Sequence, residues 1–329
     1  MDYARGATAD IMIGFTNVLK PFFLLGATGV GKSAAAMELA RAWGNAAILC
    51  LDAMQVHRGA DIGTSKPTAA ERSEFPHGGL DLVDLGERFD VAQYLAHADA
   101  FLRAQREANR RVIVVGGTGL YFRAMTQGLC EAPQGSDELR AELAALGTEQ
   151  LRTRLEKIDA PMLAQIDAKN PRRLARAIEV MEATGKSLRE WQDETPEPLV
   201  REFTALWLQR EKEELHARIE KRVEEMFSQG WENEVRELIA RHGIEKVKAF
   251  PGIGYREIAE PAKLPGQVRS QVQLGNEDTA KSNILVATRQ YAKRQLTWFA
   301  RENKLTSVML TGHPSFFAAL RAARVPDLS

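Results

Sequence analysis

The sequence predicts an α/β protein: a P-loop core with a parallel sheet flanked by helices, plus an all-helical insertion domain. Short apolar runs alternate with amphipathic stretches through the first part of the chain, as doubly wound sheets require. Phe22-Phe23-Leu24-Leu25 is followed at once by Gly26-Ala27-Thr28-Gly29-Val30-Gly31-Lys32-Ser33, a phosphate loop of the GxxxxGKS type. From about Ser136 to Asp193 the pattern changes to charged, leucine-spaced segments without β-branched runs, which reads as several helices and no strand.

The elements follow in chain order. Residues 1–20 carry Asp2, Arg5 and Asp10 and lack a signal-peptide core, so they read as a poorly ordered extension. Phe22–Leu25 is the first strand, and the alanine-rich Ser33–Trp43 is the helix that the phosphate loop must open. Ala47–Leu51 and Val112–Val115 are further strands, with a helix at Val91–Asn109. After the proline-broken Thr195-Pro196-Glu197-Pro198, Phe203–Leu208 returns the chain to the sheet. The core is thus discontinuous, 21–135 with 201–329, around an insertion at 136–200. Glu211–Gln229, Glu232–His242 and Ser282–Arg301 are amphipathic helices, and Leu305–Leu310 is a last strand.

Composition narrows the function. With 329 residues and 44% hydrophobic content the chain can bury a large core. Its 44 basic and 44 acidic residues cancel, so any nucleic-acid site must be a local patch. Cys50 and Cys130 have no metal-ligand spacing and suit reduced thiols in a cytoplasmic protein. No apolar run is long enough to span a membrane.

The phosphate loop turns backbone amides toward phosphate oxygens, adds the Lys32 ammonium, and offers the Ser33 hydroxyl to Mg²⁺. In nucleotide-hydrolysing P-loop proteins a second strand usually ends in an aspartate, but Val112-Ile113-Val114-Val115 ends in Gly116-Gly117-Thr118-Gly119. Asp52 instead ends the strand Ala47–Leu51, at the sheet edge where open α/β folds bind ligands. It is the candidate general base, with capping of the following turn as its other reading. The glycines around Thr118 let it approach a ligand. The long polar run from Asp52 to Pro67 reads as a functional loop.

Together with that loop and Gly116–Tyr121, the phosphate loop resembles the bacterial tRNA dimethylallyltransferases. The resemblance continues, in order, through Pro171-Arg172-Arg173-Leu174-Ala175-Arg176, Thr184–Ser187, Gly254-Tyr255-Arg256 and the run from Ala287 to Trp298, nearly the whole span from Pro21 to Phe299. It implies transfer of a five-carbon prenyl group from dimethylallyl diphosphate to the exocyclic amine of the adenosine 3′ of the anticodon, with diphosphate leaving and Mg²⁺ as cofactor. By position, Gly26 to Ser33 hold diphosphate and metal, Asp52 deprotonates the amine, and Thr118 hydrogen-bonds near the diphosphate. Arg218 and Arg222 are either further clamps on the leaving group or a solvated helix face. The resemblance places tRNA contacts on Asp52, Ala53, Met54, Gln55, Thr118, Arg140, Arg172 to Arg176, and Gly254 to Arg256. Arg173 and Arg176, three apart on a helix, are spaced to grip successive phosphates. Ala53, His57, Lys169-Asn170 and Glu257 depart from the family pattern, and Glu257 adds negative charge near the expected tRNA contacts. The resemblance also implies a monomeric cytoplasmic enzyme.

Three other readings stay open at this point: a small-molecule P-loop kinase holding ATP, an adenylate isopentenyltransferase acting on a free nucleotide, and a non-catalytic RNA-binding module. The kinase leaves the basic insertion unexplained, and the free-nucleotide enzyme has no need of Arg172 to Arg176. A binding module has no use for a complete phosphate loop beside a strand-ending carboxylate.

Overall fold

The computed structural model describes residues 20–260 and 277–324, so the expected extension at 1–20 lies outside the described residues apart from Lys20. The apolar runs become strands β1 (Phe22–Gly26), β2 (Ala46–Leu51), β4 (Arg111–Gly116) and β5 (Thr204–Gln209). A two-residue β3 (His77–Gly78) and a short β6 (Thr306–Met309) complete the sheet. All pairs are parallel, in the order β3-β2-β4-β1-β5-β6. Every residue of β1 and β2 is buried. That is why these strands read as unbroken apolar runs, since helices cover both faces of such a sheet.

The register decides where the chemistry falls. Gly116 pairs with both Leu25 of β1 and Leu51 of β2, so three neighbouring strands stop at one level. The phosphate loop, Asp52 and the Gly117-Thr118 turn therefore leave the same carboxyl edge side by side.

Helix α1 (Lys32–Trp43) follows the phosphate loop. Helix α2 (Ala69–Glu74), too short for a periodic signal, is started by a Thr68/Glu71 capping box. Helix α3 (Val91–Glu107) starts on a capping box of Asp90 and Gln93, and ends before Asn109, which turns left-handed at φ 52°. Helix α4 (Gly119–Gln127) follows β4.

The chain divides into two compact units, of which the smaller is Arg123–Leu199. It consists of α5 (Asp137–Ala145), α6 (Thr148–Leu163), α7 (Pro171–Thr184) and α8 (Leu188–Asp193), and has no strand. Ser136, Asn170 and Ser187 cap three of these helices, and Asn170 accepts the amides of Arg172 and Arg173 with Pro171 in the first turn. Pro161 sits inside α6, where Asp159 breaks the helical geometry. Leu151, Leu155, Leu174, Ile178 and Val180 form the core of this unit. Each such side chain contributes roughly 1.5–3 kcal/mol on burial.

The larger unit resumes with β5 and continues through α9 (Lys212–Ser228), α10 (Trp231–His242), α11 (Ile244–Ala249), α12 (Tyr255–Ala259), α13 (Glu277–Phe299) and α14 (Phe316–Ala322). Val223, Trp231, Leu238, Tyr255 and Ile284 build a second apolar core, joined by Ala60 of the long loop.

Candidate active site

The phosphate loop is held in shape from outside. Gly29 and Gly31 have φ of 81° and 106°, a conformation that side chains resist. Arg218 donates to the Gly29 carbonyl at 2.9 Å, Arg210 to the Val30 carbonyl at 2.8 Å, and Arg222 to the Thr28 hydroxyl at 2.9 Å. Arg210 is itself anchored on Glu214, which accepts the Thr311 hydroxyl. Three guanidinium groups thus converge on one loop with donors to spare for an anion.

Lys32 donates to the Ala27 carbonyl at 2.8 Å. Burial, and then the Arg222 charge, pull its pKa down to about 7, while Asp52 pulls the other way. An incoming anion restores the charged form.

Asp52 caps the turn that follows it. Oδ1 accepts the Met54 amide at 2.8 Å and the Gln55 amide at 3.4 Å, so this oxygen does cap the turn. Oδ2 has no hydrogen bond to another of the described residues. Burial raises the pKa of the carboxyl, against the pull of the backbone amides and of Lys32 and Arg222. A raised pKa is what a carboxylate needs to hold a proton taken from a nitrogen. Thr118 accepts the Ala53 amide at 3.2 Å through its hydroxyl oxygen, which pins the residue after Asp52.

Lys32, Asp52 and Arg222 open onto one cavity of about 900 Å³. Thr28, Lys32, Ser33, Asp52 and Arg222 make its polar end, and Met54, Ile62, Val223, Met226 and Ile253 are among its apolar lining. Ile219, Val223 and Met226 lie one turn apart on α9, so one helix face supplies much of that wall. A molecule with an anionic head and a small apolar tail matches such a lining.

The loop from Asp52 to Pro67 is stapled rather than loose. Lys66, with 1% of its side chain exposed, donates to the His57 carbonyl, Asp61 and Asp81 at 2.5, 2.7 and 2.6 Å. Gln55 donates to the Thr64 and Ser65 carbonyls. Glu234 on α10 accepts the amides of Asp61, Ile62 and Gly63 and the Tyr255 hydroxyl. Sequence reasoning missed Lys66, Arg210, Glu234 and Gln295. Each bonds to residues far away or to backbone, and neither leaves a spacing signature.

Several expected RNA contacts sit elsewhere. The Leu174 side chain is fully buried in the smaller unit's core and faces no ligand. Tyr255 is likewise buried, edge-on to Trp231 and Phe250, and Gly254 packs directly against the Trp231 indole. Of that trio only Arg256 is exposed, paired with Glu260 at 2.9 Å. Arg176 does not form a grip with Arg173: it donates to the Ala132 and Pro133 carbonyls and to Glu179, tying the start of the unit to α7. Arg140 pairs with Asp137, and Ala175 is half-buried. Arg172 and Arg173 are exposed, with no side-chain partner among the described residues. Ala53, Met54 and Gln55 line the approach to Asp52 in the larger unit, half-buried.

Oxygen donors on this cavity include the Ser33 hydroxyl of the phosphate loop and the carboxylates of Asp52, Asp61 and Glu71. Among the described residues no cluster of three histidine, cysteine or carboxylate ligands occurs. A hydroxyl oxygen in a phosphate cradle fits a hard ion such as Mg²⁺ that arrives with a diphosphate.

Fold and site together define an α/β protein of the P-loop class, with its phosphate loop and the Asp52 carboxylate on one cavity. A model of the IPP transferase family matches residues 55–302. The chain is 43% identical over 303 residues to a tRNA dimethylallyltransferase of Methylacidiphilum infernorum, covering 92% of this chain and 89% of the relative. It is 42% identical over 292 residues to one of Syntrophobacter fumaroxidans, covering 87% and 82%. Among solved structures it is similar to the full-length tRNA isopentenylpyrophosphate transferase of Bacillus halodurans, with 31% identity, a TM-score of 0.59, and 88% and 90% of the two chains covered. A eukaryotic dimethylallyltransferase acting on tRNA shares the fold, at 23% identity and a TM-score of 0.76, over 94% and 79%. The chain belongs to the IPP transferase family.

Proposed function

We propose that this protein transfers a dimethylallyl group from dimethylallyl diphosphate to the exocyclic amine of the adenosine 3′-adjacent to the anticodon in tRNA. The observation that carries the proposal is the juxtaposition, in one cavity, of a phosphate loop ringed by arginines, an apolar wall, and a carboxylate with a raised pKa. Curated relatives named tRNA dimethylallyltransferase support it.

In this reaction the C–O bond between the allylic carbon and diphosphate breaks, and diphosphate departs with the electron pair. The adenosine nitrogen forms the new N–C bond and gives its proton to Asp52 Oδ2. Lys32, Arg218 and Arg222 offset charge as it grows on the leaving oxygen. Ser33 is the residue that would hold Mg²⁺, which would add positive charge at the diphosphate when bound. Met54, Val223 and Met226 keep water from the allylic carbon, which would otherwise be hydrolysed. The adenine must be unstacked to enter, which favours an unpaired loop nucleotide over a duplex one. Arg172 and Arg173 contact tRNA phosphates. The enzyme works as a cytoplasmic monomer, and among the described residues no helix is long and apolar enough to cross a membrane.

The test is transfer of labelled prenyl from dimethylallyl diphosphate with Mg²⁺, with unmodified tRNA and AMP offered in parallel and ATP consumption followed in the same tubes. Label in tRNA alone is expected. Label in AMP alone, or ATP consumption without label, overturns the proposal.

A further inference from the structure

Gln295 on α13 is buried, and its side-chain amide is engaged on both ends. Its Oε1 accepts the Thr28 amide at 2.8 Å, and its Nε2 donates to the Gly117 carbonyl at 3.0 Å. The partners fix which end is which, because Thr28 offers only a donor and Gly117 only an acceptor there. One partner lies in the phosphate loop, and the other opens the turn after β4.

The pairing of β1 with β4 runs to Leu25 and Gly116 and then stops. Beyond it the strand pairing ends, and the Gln295 amide bonds to one residue of each loop as a peptide group would. From Gly117 the connection continues through Thr118 to the Ala53 amide, next to Asp52. A short series of hydrogen bonds thus links the diphosphate cradle to the base. Gly117 is fitted to this link: a Cβ there would lie 2.1 Å from Gln295 Nε2.

We propose that Gln295 is a positioning residue that sets the separation between the diphosphate cradle and the Asp52 carboxylate, governing the rate of transfer rather than the affinity for diphosphate. This rests on the prenyl-transfer function proposed above. The leaving oxygen, allylic carbon and amine must lie in line at near-contact distance, and a displacement of about 1 Å costs up to about 10²-fold in rate. Gln295 bonds one amide of the phosphate loop, that of Thr28, but none of Lys32, Ser33 and the arginines, which supply the charge that binds diphosphate.

The test uses the full chain. Gln295→Met keeps the volume and loses both bonds, and Gly117→Ala displaces the amide from the other side, so either variant decides if one fails to fold. Single-turnover transfer to tRNA and direct binding of diphosphate are measured on each, with thermal unfolding as the control for folding. The expected result is a loss of transfer of about tenfold or more with diphosphate affinity within about threefold, and a rate for Gln295→Met with Thr118→Ala well above the product of the single losses. Unchanged transfer, equal losses in transfer and diphosphate binding, or strictly multiplicative losses overturn the inference. Wild-type enzyme that labels no tRNA instead overturns the function on which it rests.

Discussion

Around the phosphate loop, Arg210, Arg218 and Arg222 each donate to an oxygen of that loop, so their charges are held beside it, and Arg222 also lines the cavity. In the Arg123–Leu199 unit the arginines mostly meet carboxylates of the same unit: Arg154 bridges Glu142 and Glu182, and Arg176 holds Glu179. Arg172 and Arg173 are left over, and they stand in the first turn of α7, where the helix dipole repels cations. A cation there costs about 0.3–1 kcal/mol, which an approaching phosphate reverses. The larger unit holds its charges in place by hydrogen bonds, whereas the smaller leaves two arginines without a side-chain partner among the described residues.

The first way to break this comparison is at the base. Asp52→Ala is expected to lower transfer by about 10²–10⁴-fold while both substrates still bind, as single-turnover kinetics with direct binding of each substrate will show. A loss confined to tRNA affinity would mean that the larger unit contributes binding only.

Lys66→Met tests whether the loop is pre-organised. Removing a buried ammonium from three acceptors should destabilise the larger unit by roughly 2–3 kcal/mol, near the low end because Asp61 and Asp81 are partly exposed. Urea unfolding gives the magnitude. Hydrogen exchange resolved by segment should show the change in the loop and β2, with α5 to α8 unaffected.

Arg173→Ala should raise KM for tRNA by about tenfold, leave KM for dimethylallyl diphosphate unchanged, and reduce the salt slope of tRNA binding by about one. Arg173→Glu should lose tRNA binding further yet stabilise α7 by a few tenths of a kcal/mol, because it complements the dipole. If both variants destabilise the unit, Arg173 is a structural residue and the contrast with Arg176 fails.

The smallest effect concerns pH. Burial holds His57, His77 and His97 below their ordinary pKa. Below about 6.5 the unfolded chain therefore binds more protons than the folded one, and stability falls as pH falls through the depressed values. All three lie in the larger unit, and residues 123–199 contain no histidine. Between pH 7 and 5 the larger unit should lose exchange protection first, and His97→Gln should lessen the loss.

The strand runs at 22, 47 and 112 were legible because buried parallel strands are continuously apolar, and the run at 203 because it follows a proline-broken segment. The two-residue β3 was not, since His77-Gly78 has neither length nor period. Asp52 was legible from its place at a strand end, and the structure adds that one oxygen caps the turn while the other is spare. Leu174 and Tyr255 mark the opposite case. They lie within segments that the family resemblance assigns to RNA, but their apolar bodies complete two cores, and a one-dimensional motif does not say which members face inward. Arg176 looked equivalent to Arg173 at helical spacing, and only the presence of Glu179 and the carbonyls of Ala132 and Pro133 separates them.

The sequence by itself determined the α/β alternation, the phosphate loop and the strand-ending carboxylate, because these depend on neighbours within a few residues and on burial of apolar runs. The tertiary structure alone decided the Gln295 bridge, the Glu234 and Lys66 staples, and which arginines are held and which are free. Those contacts join residues up to 267 apart in the chain, and hydrogen bonds of that kind impose no period on the sequence.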